Sequence, residues 1–218
     1  MIIAGIFDSF FSSDRRIAEE HFAHLAKLGY ARVAPSDAAM LSAVRQLKPI
    51  GGNLFAVRFA AMTQRTMGVR YISDLHLTIN VNPKSSSISE WSIISQLQPM
   101  AIKAPVSITP RTIAYEMLFK RTQMQSEVEM GMLPEFADSF YAFSKVQGEV
   151  WVPEPIQRTI LKLSALFPFK ALEKSIAIAH VSPKGWCILC DRVKNTALFT
   201  DLLMVADQLE QAAAQSTV

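Results

Sequence analysis

The chain has few of the residues on which several common protein classes depend. Only two of its 218 residues are cysteine and only eight are glycine. Two cysteines are too few for a secreted disulfide scaffold, and the phosphate-binding patterns G-x-G-x-x-G and G-x-x-x-x-G-K do not occur. No run of 18 or more apolar residues is present, so the sequence predicts no membrane-spanning helix.

Charge is also sparse and nearly balanced. Charged residues make up 19% of the chain, with 22 Lys and Arg against 19 Asp and Glu. Proteins that bind nucleic acid usually cluster their basic residues on one face, because affinity comes from neutralising several phosphates at once. The adjacent basic pairs here, Arg15-Arg16 and Lys120-Arg121, fall in predicted helices and are typical of a solvated helix face. We therefore expect no nucleic-acid partner.

Apolar residues are plentiful, at half of the chain. That content in a chain of this length predicts a folded globular protein with a sizeable core. We expect a single α+β domain over residues 1–218, with two lobes, 1–121 and 134–218, as the alternative. The irregular segment 122–133 would join them, because it is rich in Met, Gln and Glu and has no clear hydrophobic period.

Apolar residues at helical spacing, together with capping and stop residues, predict the helices. The first predicted helix spans residues 14–28 and is capped by Ser13, and the second is capped by Ser36 and ended by Pro49. A third is opened by Thr109-Pro110 and ends near Lys120. A helical turn is predicted from Pro134, and the last two helices are one from Pro153 to Pro168 and one capped by Asn195.

Alternating apolar and polar residues predict the strands. Segments 53–63, 69–81 and 88–97 form a three-strand antiparallel meander, with a loop at 64–68 and a turn at 83–86. A strand is predicted at 140–144, and segments 175–181 and 185–193 form a hairpin about the turn Ser182-Pro183-Lys184-Gly185. The predicted fold class is α+β, with the meander and the C-terminal hairpin as antiparallel sheet packed against amphipathic helices.

The most conspicuous motif is Trp186-Cys187-Ile188-Leu189-Cys190, which has the W-C-x-x-C form of a thioredoxin-like redox site. A redox dithiol needs its first thiol at a helix N-terminus, where the pKa is lowered. Here both cysteines fall in a predicted strand, where residues three apart point to opposite faces. We therefore predict two buried core cysteines and neither a disulfide nor a zinc site. Free thiols fit a reducing cytoplasm.

Four histidines offer metal-binding alternatives. His21 and His24 stand three apart on the first predicted helix and could share an ion, but no third ligand is apparent. His76 and His180 lie on separate predicted strands. We interpret all four as partly exposed structural histidines, and the sequence predicts no metal, no cofactor and no catalytic residue.

Two further polar groups are weaker candidates. Glu127 and Glu129 could share one strand face as an acid and base pair, but they lie in the segment without a clear period. No G-x-S-x-G pattern is present, and Ser85-Ser86-Ser87 is predicted to form part of a turn.

The first eleven residues hold a dense group of bulky apolar side chains. Asp8 interrupts this segment and no basic residues precede it, so it does not resemble a signal peptide. Core packing is the commoner use of such a segment, and docking on a protein partner or lying in a membrane interface are the alternatives. The candidate partner-binding residues are Ile3, Ile6, Phe7, Phe10 and Phe11.

The order of these elements resembles that of a broad group of bacterial proteins that carry a domain of unknown function and are often membrane-anchored. The resemblance spans roughly residues 20–192. It rests on the opening helix, the G-x-x-x-x-V strand entry at Gly52–Val57, the extended piece Gln98–Ile102, and Leu133–Phe136 leading to a strand, a helix and a hairpin. It implies an α+β fold and no particular catalytic residue. This chain departs from the group in having no transmembrane segment.

These observations favour a non-enzymatic interaction or scaffold protein, a subunit of a larger assembly in a bacterial cytoplasm. One alternative is an enzyme or small-ligand binder whose pocket draws on distant residues such as His76, Asp74, His180 and Tyr71. The other is peripheral attachment to a membrane through the apolar segment at residues 1–11. Protein partners or self-association are expected in the first case.

Overall fold

A computed structural model of the protein describes residues 16–47, 53–82, 85–111, 126–127, 131–146, 151–167 and 177–216. At 53–56, 76–82, 85–89, 126 and 177 it describes the backbone alone.

Five helical segments lie within these ranges. They are α1 (16–27), α2 (Ala38–Leu47), α3 (Pro134–Ser139), α4 (Glu154–Leu166) and α5 (Thr196–Gln215). Each corresponds to a helix predicted from apolar spacing.

One antiparallel sheet contains all the described strands. They are β1 (Ala31–Arg32), β2 (Asn53–Arg65), β3 (Gly68–Asn82), β4 (Ser85–Leu97), β5 (Val106–Pro110), β6 (Ser126–Glu127), β7 (Phe140–Ser144), β8 (Ala177–Ser182) and β9 (Gly185–Asp191). Their order across the sheet is β1-β2-β3-β4-β9-β8-β5-β7-β6. The α+β class, the meander β2–β4 and the hairpin β8–β9 are thus confirmed. Because β4 pairs with β9, the meander and the hairpin belong to the same sheet.

Strands from both sides of segment 122–133 are interleaved in this sheet. Strand β4 lies beside β9, and β5 lies between β8 and β7. Seven residue pairs join β4 to β9, from Trp91 opposite Asp191 to Leu97 opposite Gly185. The two predicted lobes would therefore share one continuous ladder of backbone hydrogen bonds.

The turn of the β8–β9 hairpin fits closely against the end of β4. Gly185 has a φ of +145°, as the turn prediction required, and a Cβ at this position would collide with the backbone of Gln96. Two further backbone hydrogen bonds attach the same turn, from Gln98 N–H to Lys184 O at 3.1 Å and from Met100 N–H to Pro183 O at 3.2 Å. Glycine is therefore required for strand contact as well as for the turn.

The two faces of the sheet carry separate cores. Helices α1, α3, α4 and α5 cover one face, which we call the four-helix face, where Leu25, Phe136, Ile160 and Leu202 pack with strand residues such as Ile188. Helix α2 lies on the other, the α2 face. The core there includes Met40, Val44 and Leu47 from α2, and Tyr71, Ile93, Ile178 and Leu189 from the strands. Burial on both faces explains why β9 reads as an almost continuous apolar run.

The start of α2 differs from the prediction by one residue. Asp37, not Ser36, caps the helix, since its Oδ1 accepts a hydrogen bond from Met40 N–H at 2.8 Å. Asp37 N–H donates to Ala34 O at 2.9 Å, which closes a turn that contains Ser36. The prediction for α5 is confirmed, because Asn195 Oδ1 accepts from Ala197 N–H at 2.8 Å.

The predicted helix start at Thr109-Pro110 is wrong. Both residues end β5, opposite Tyr141 and Phe140 of β7. Strand β8 pairs with β5 only as far as Ile108, so the missing N–H of Pro110 removes no bond on that side. The rest of that predicted helix, at residues 112–120, lies outside the described residues.

The serine run Ser85–Ser87 is also not a turn. It opens β4, opposite Asn82, Asn80 and Ile79 of β3. Strand β3 is long enough to provide partners for these serines, and this tertiary pairing outweighs their local preference for turns.

A buried glutamine fastens α4 to the segment before α3. Gln157 accepts from Leu133 N–H at 2.8 Å and donates to Gly131 O at 2.8 Å and to Val152 O at 2.7 Å. Its side chain thus satisfies three backbone groups that strand and helix ladders do not reach.

We predict that Gln157→Ala lowers the free energy of unfolding by about 3 kcal/mol, because it takes the hydrogen-bond partner from one buried and two partly buried backbone groups. Urea denaturation followed by circular dichroism measures the change. Gln46→Ala is the matched control, since Gln46 is exposed and its side-chain hydrogen bond within the described residues goes to Ser42 on its own helix. Equal losses in the two variants would contradict the role assigned to Gln157.

Candidate functional site

Among the described residues, a group of buried ionisable side chains lies on the four-helix face, beneath α1. The register places Asp74 of β3, Ser92 of β4 and Cys190 of β9 in one row across three strands. Residues directly opposite one another share a face of the sheet. Arg192 follows β9, and α1 brings His21 over the row. We call His21, Asp74, Ser92 and Arg192 the buried charge cluster.

Asp74 is the centre of the cluster. Ser92 Oγ donates to Asp74 Oδ1 at 2.6 Å and also accepts from Val193 N–H at 3.1 Å. Asp74 Oδ2 lies 3.5 Å from Arg192 Nε and 4.0 Å from His21 Nδ1. The side chains of Asp74 and Arg192 are 3% exposed and that of His21 is 1% exposed.

An ion-pair chain leads from this cluster to the surface. Arg192 Nη1 lies 3.5 Å from Glu90 Oε2, and Glu90 Oε1 lies 3.4 Å from Arg58 Nη1. Glu90 is 38% exposed and Arg58 is 30% exposed, so the outer pair meets solvent. Two cations and two anions therefore alternate from the interior outward.

Burial governs the electrostatics of the two titratable groups. Burial raises the pKa of Asp74, although the hydrogen bond from Ser92 and the positive charge of Arg192 both act to lower it. Burial lowers the pKa of His21, against the attraction of Asp74. The His21 ring stacks on Phe199 of α5, with ring centroids 4.6 Å apart and planes at 7°. The apolar stack and the low exposure both favour neutral imidazole.

Ser92, His21 and Asp74 are the residue types of a Ser-His-Asp catalytic triad, but their hydrogen bonds differ from those of a triad. A nucleophilic serine donates its proton to histidine. Here Ser92 donates to Asp74, and no described contact joins Ser92 to His21. At 1–3% exposure, a substrate does not reach these atoms. The arrangement buries an ion pair between Asp74 and Arg192 beneath α1, with His21 of α1 lying 4.0 Å from Asp74.

The sequence does not predict this cluster. Asp74 is predicted only as a possible pocket residue, and the prediction of a partly exposed His21 is wrong because Phe199 and the sheet bury the ring. Ser92 and Arg192 had no signal of their own. Only the pairing of β4 with β9 brings them to Asp74.

The described residues do not form the pocket that was the alternative prediction. That pocket would draw on His76, Asp74, His180 and Tyr71. Tyr71 and His180 stand in the row that runs through Ser95 and Cys187, on the α2 face. Asp74 lies three residues along β3 from Tyr71 and therefore on the opposite face. The side chain of His76 is outside the described residues.

His180 is buried, contrary to the prediction of a partly exposed ring. Its Nδ1 lies 3.1 Å from Ser107 Oγ of the neighbouring strand. Burial lowers the pKa of His180 from 6.5 to about 4. His24 is half-buried, and its Nε2 lies 3.2 Å from Thr200 Oγ1 of α5.

A second polar group fastens α5 to the same face of the sheet. Arg70 of β3 donates to Gln96 Oε1 at 2.7 Å and to Glu210 Oε2 at 2.9 Å, and Nη1 contacts Asp207 Oδ1 at 2.5 Å. Its guanidinium lies 5.5 Å from the ring centre of Trp186. Arg70 is fully buried, and these contacts compensate its charge.

The cysteines behave as predicted. Cys187 faces α2 and donates to Leu47 O at 2.8 Å, whereas Cys190 belongs to the core of the four-helix face. Both thiols are free and buried. Burial raises the pKa of both, so neither has the character of a redox nucleophile.

The described residues contain no group of three or more His, Cys, Asp or Glu side chains placed to hold a metal ion. None of the described helices is long and apolar enough to cross a bilayer. The partner-binding candidates Ile3, Ile6, Phe7, Phe10 and Phe11 lie outside the described residues.

We predict that Asp74→Asn lowers the free energy of unfolding by about 3 kcal/mol, because it removes the buried negative charge beside Arg192. The control is Glu154→Gln, which breaks a pair with Arg158 whose side chains are both more than half exposed, for an expected loss below about 1 kcal/mol. Urea denaturation at pH 7 compares them. Equal small losses would mean that Asp74 carries no charge in the folded protein.

His180 makes folding stability depend on pH. The unfolded chain binds a proton at His180 near pH 6.5, and the folded protein does so only near pH 4. Stability from this group is therefore complete above pH 6.5, falls by about 3 kcal/mol as the pH drops toward 4, and then levels off. Urea denaturation between pH 7.5 and 4 should show a smaller fall in His180→Gln than in His24→Gln. His21 is present in both variants and cannot account for a difference between them. Identical falls in the free energy of unfolding would therefore contradict the assignment of this pH dependence to His180.

Comparison with known proteins finds no matching family model, no matching curated protein and no matching solved structure. The resemblance to bacterial proteins that carry a domain of unknown function stays a prediction.

Proposed function

We propose that this chain is a non-enzymatic interaction module of a bacterial cytoplasm, in which the apolar segment at residues 1–11 binds a second copy of the chain. Five of the nine residues from Ile3 to Phe11 are bulky and apolar. Such a density is typical of the centre of a protein interface.

The anchoring of α1 is the observation that carries the proposal. This helix is the first described element after the apolar segment, and only a few residues of sequence separate the two. Arg32 of β1 forms two hydrogen bonds with Glu19 of α1, at 3.0 and 2.6 Å. The same guanidinium lies 4.3 Å from the ring centre of Phe22. With His21 buried on the other side, α1 is held from both the sheet and α5.

The His, Asp, Ser and Cys side chains buried in the fold add support to a non-enzymatic function. Asp74, Ser92 and His21 hold α1 on the sheet, Cys187 bonds to the end of α2, and His180 joins two strands. Each group has a packing role that accounts for its position. Peripheral attachment to a membrane surface is the competing use of residues 1–11.

We predict that the triple variant Phe7→Ser, Phe10→Ser, Phe11→Ser loses self-association, because it removes most of the apolar area that the interface would bury. Sedimentation velocity over a range of concentrations measures the assembly state. The matched control is Leu28→Ser with Met204→Ser, since both residues are 51% exposed and lie elsewhere on the surface.

The control should keep the assembly state of the parent protein, and both variants should keep its Tm. An assembly state unchanged by the triple variant would contradict the proposal. A large fall in Tm would assign the three phenylalanines to the core instead. Cosedimentation of the parent chain with phosphatidylglycerol vesicles, lost in the triple variant, would favour the membrane.

A further inference from the structure

We draw no further inference here: the strongest candidate, the buried charge cluster of His21, Asp74, Ser92 and Arg192 beneath α1, belongs to the site already described, and it points to an acid-sensitive attachment of α1 only through the pKa shifts of His21 and Asp74, whose effects on that attachment oppose each other.

Discussion

The rest of the structure depends on the pairing of β4 with β9. These strands are far apart in the sequence, and their seven paired positions join the N-terminal meander to the C-terminal hairpin. Both strands are buried on both faces along the paired stretch, from Ile93 and Leu189 under α2 to Ile94 and Ile188 under the other helices. Backbone bonds shielded in this way open only when packing on both sides is lost.

The buried polar groups contact one another across this β4–β9 pairing, which we call the β4–β9 seam. Asp74 of β3 forms an ion pair with Arg192 after β9, Ser92 accepts a hydrogen bond from Val193 N–H, and Arg70 stands in a row with Gln96 and Trp186. Histidine, serine and aspartate are residue types that active sites also use; in this fold these groups lie at the junction of the two halves of the sheet, beneath helices α1 and α5. In the proposed interaction function, binding is carried by the segment that precedes α1 in the chain.

Local patterns in the sequence predicted local structure well. Alternation in β9 placed Cys187 and Cys190 on opposite faces, which the structure confirms. The helix start at Ser36 was wrong by one residue because both Ser36 and Asp37 are good caps, and a neighbouring turn decides between them. The burial of His21 was not predictable, since it depends on which strands lie beneath α1. Strand order is set by contacts between distant segments, and hydrophobic period carries no information about it.

Native-state hydrogen exchange across the β4–β9 seam tests the central claim most directly. The account predicts that the slowest amides of β3, β4, β8 and β9 share one free energy of opening, equal to that of global unfolding. Two separate values, one for the meander and a different one for the hairpin, would contradict it, because the halves would then open independently of the seam.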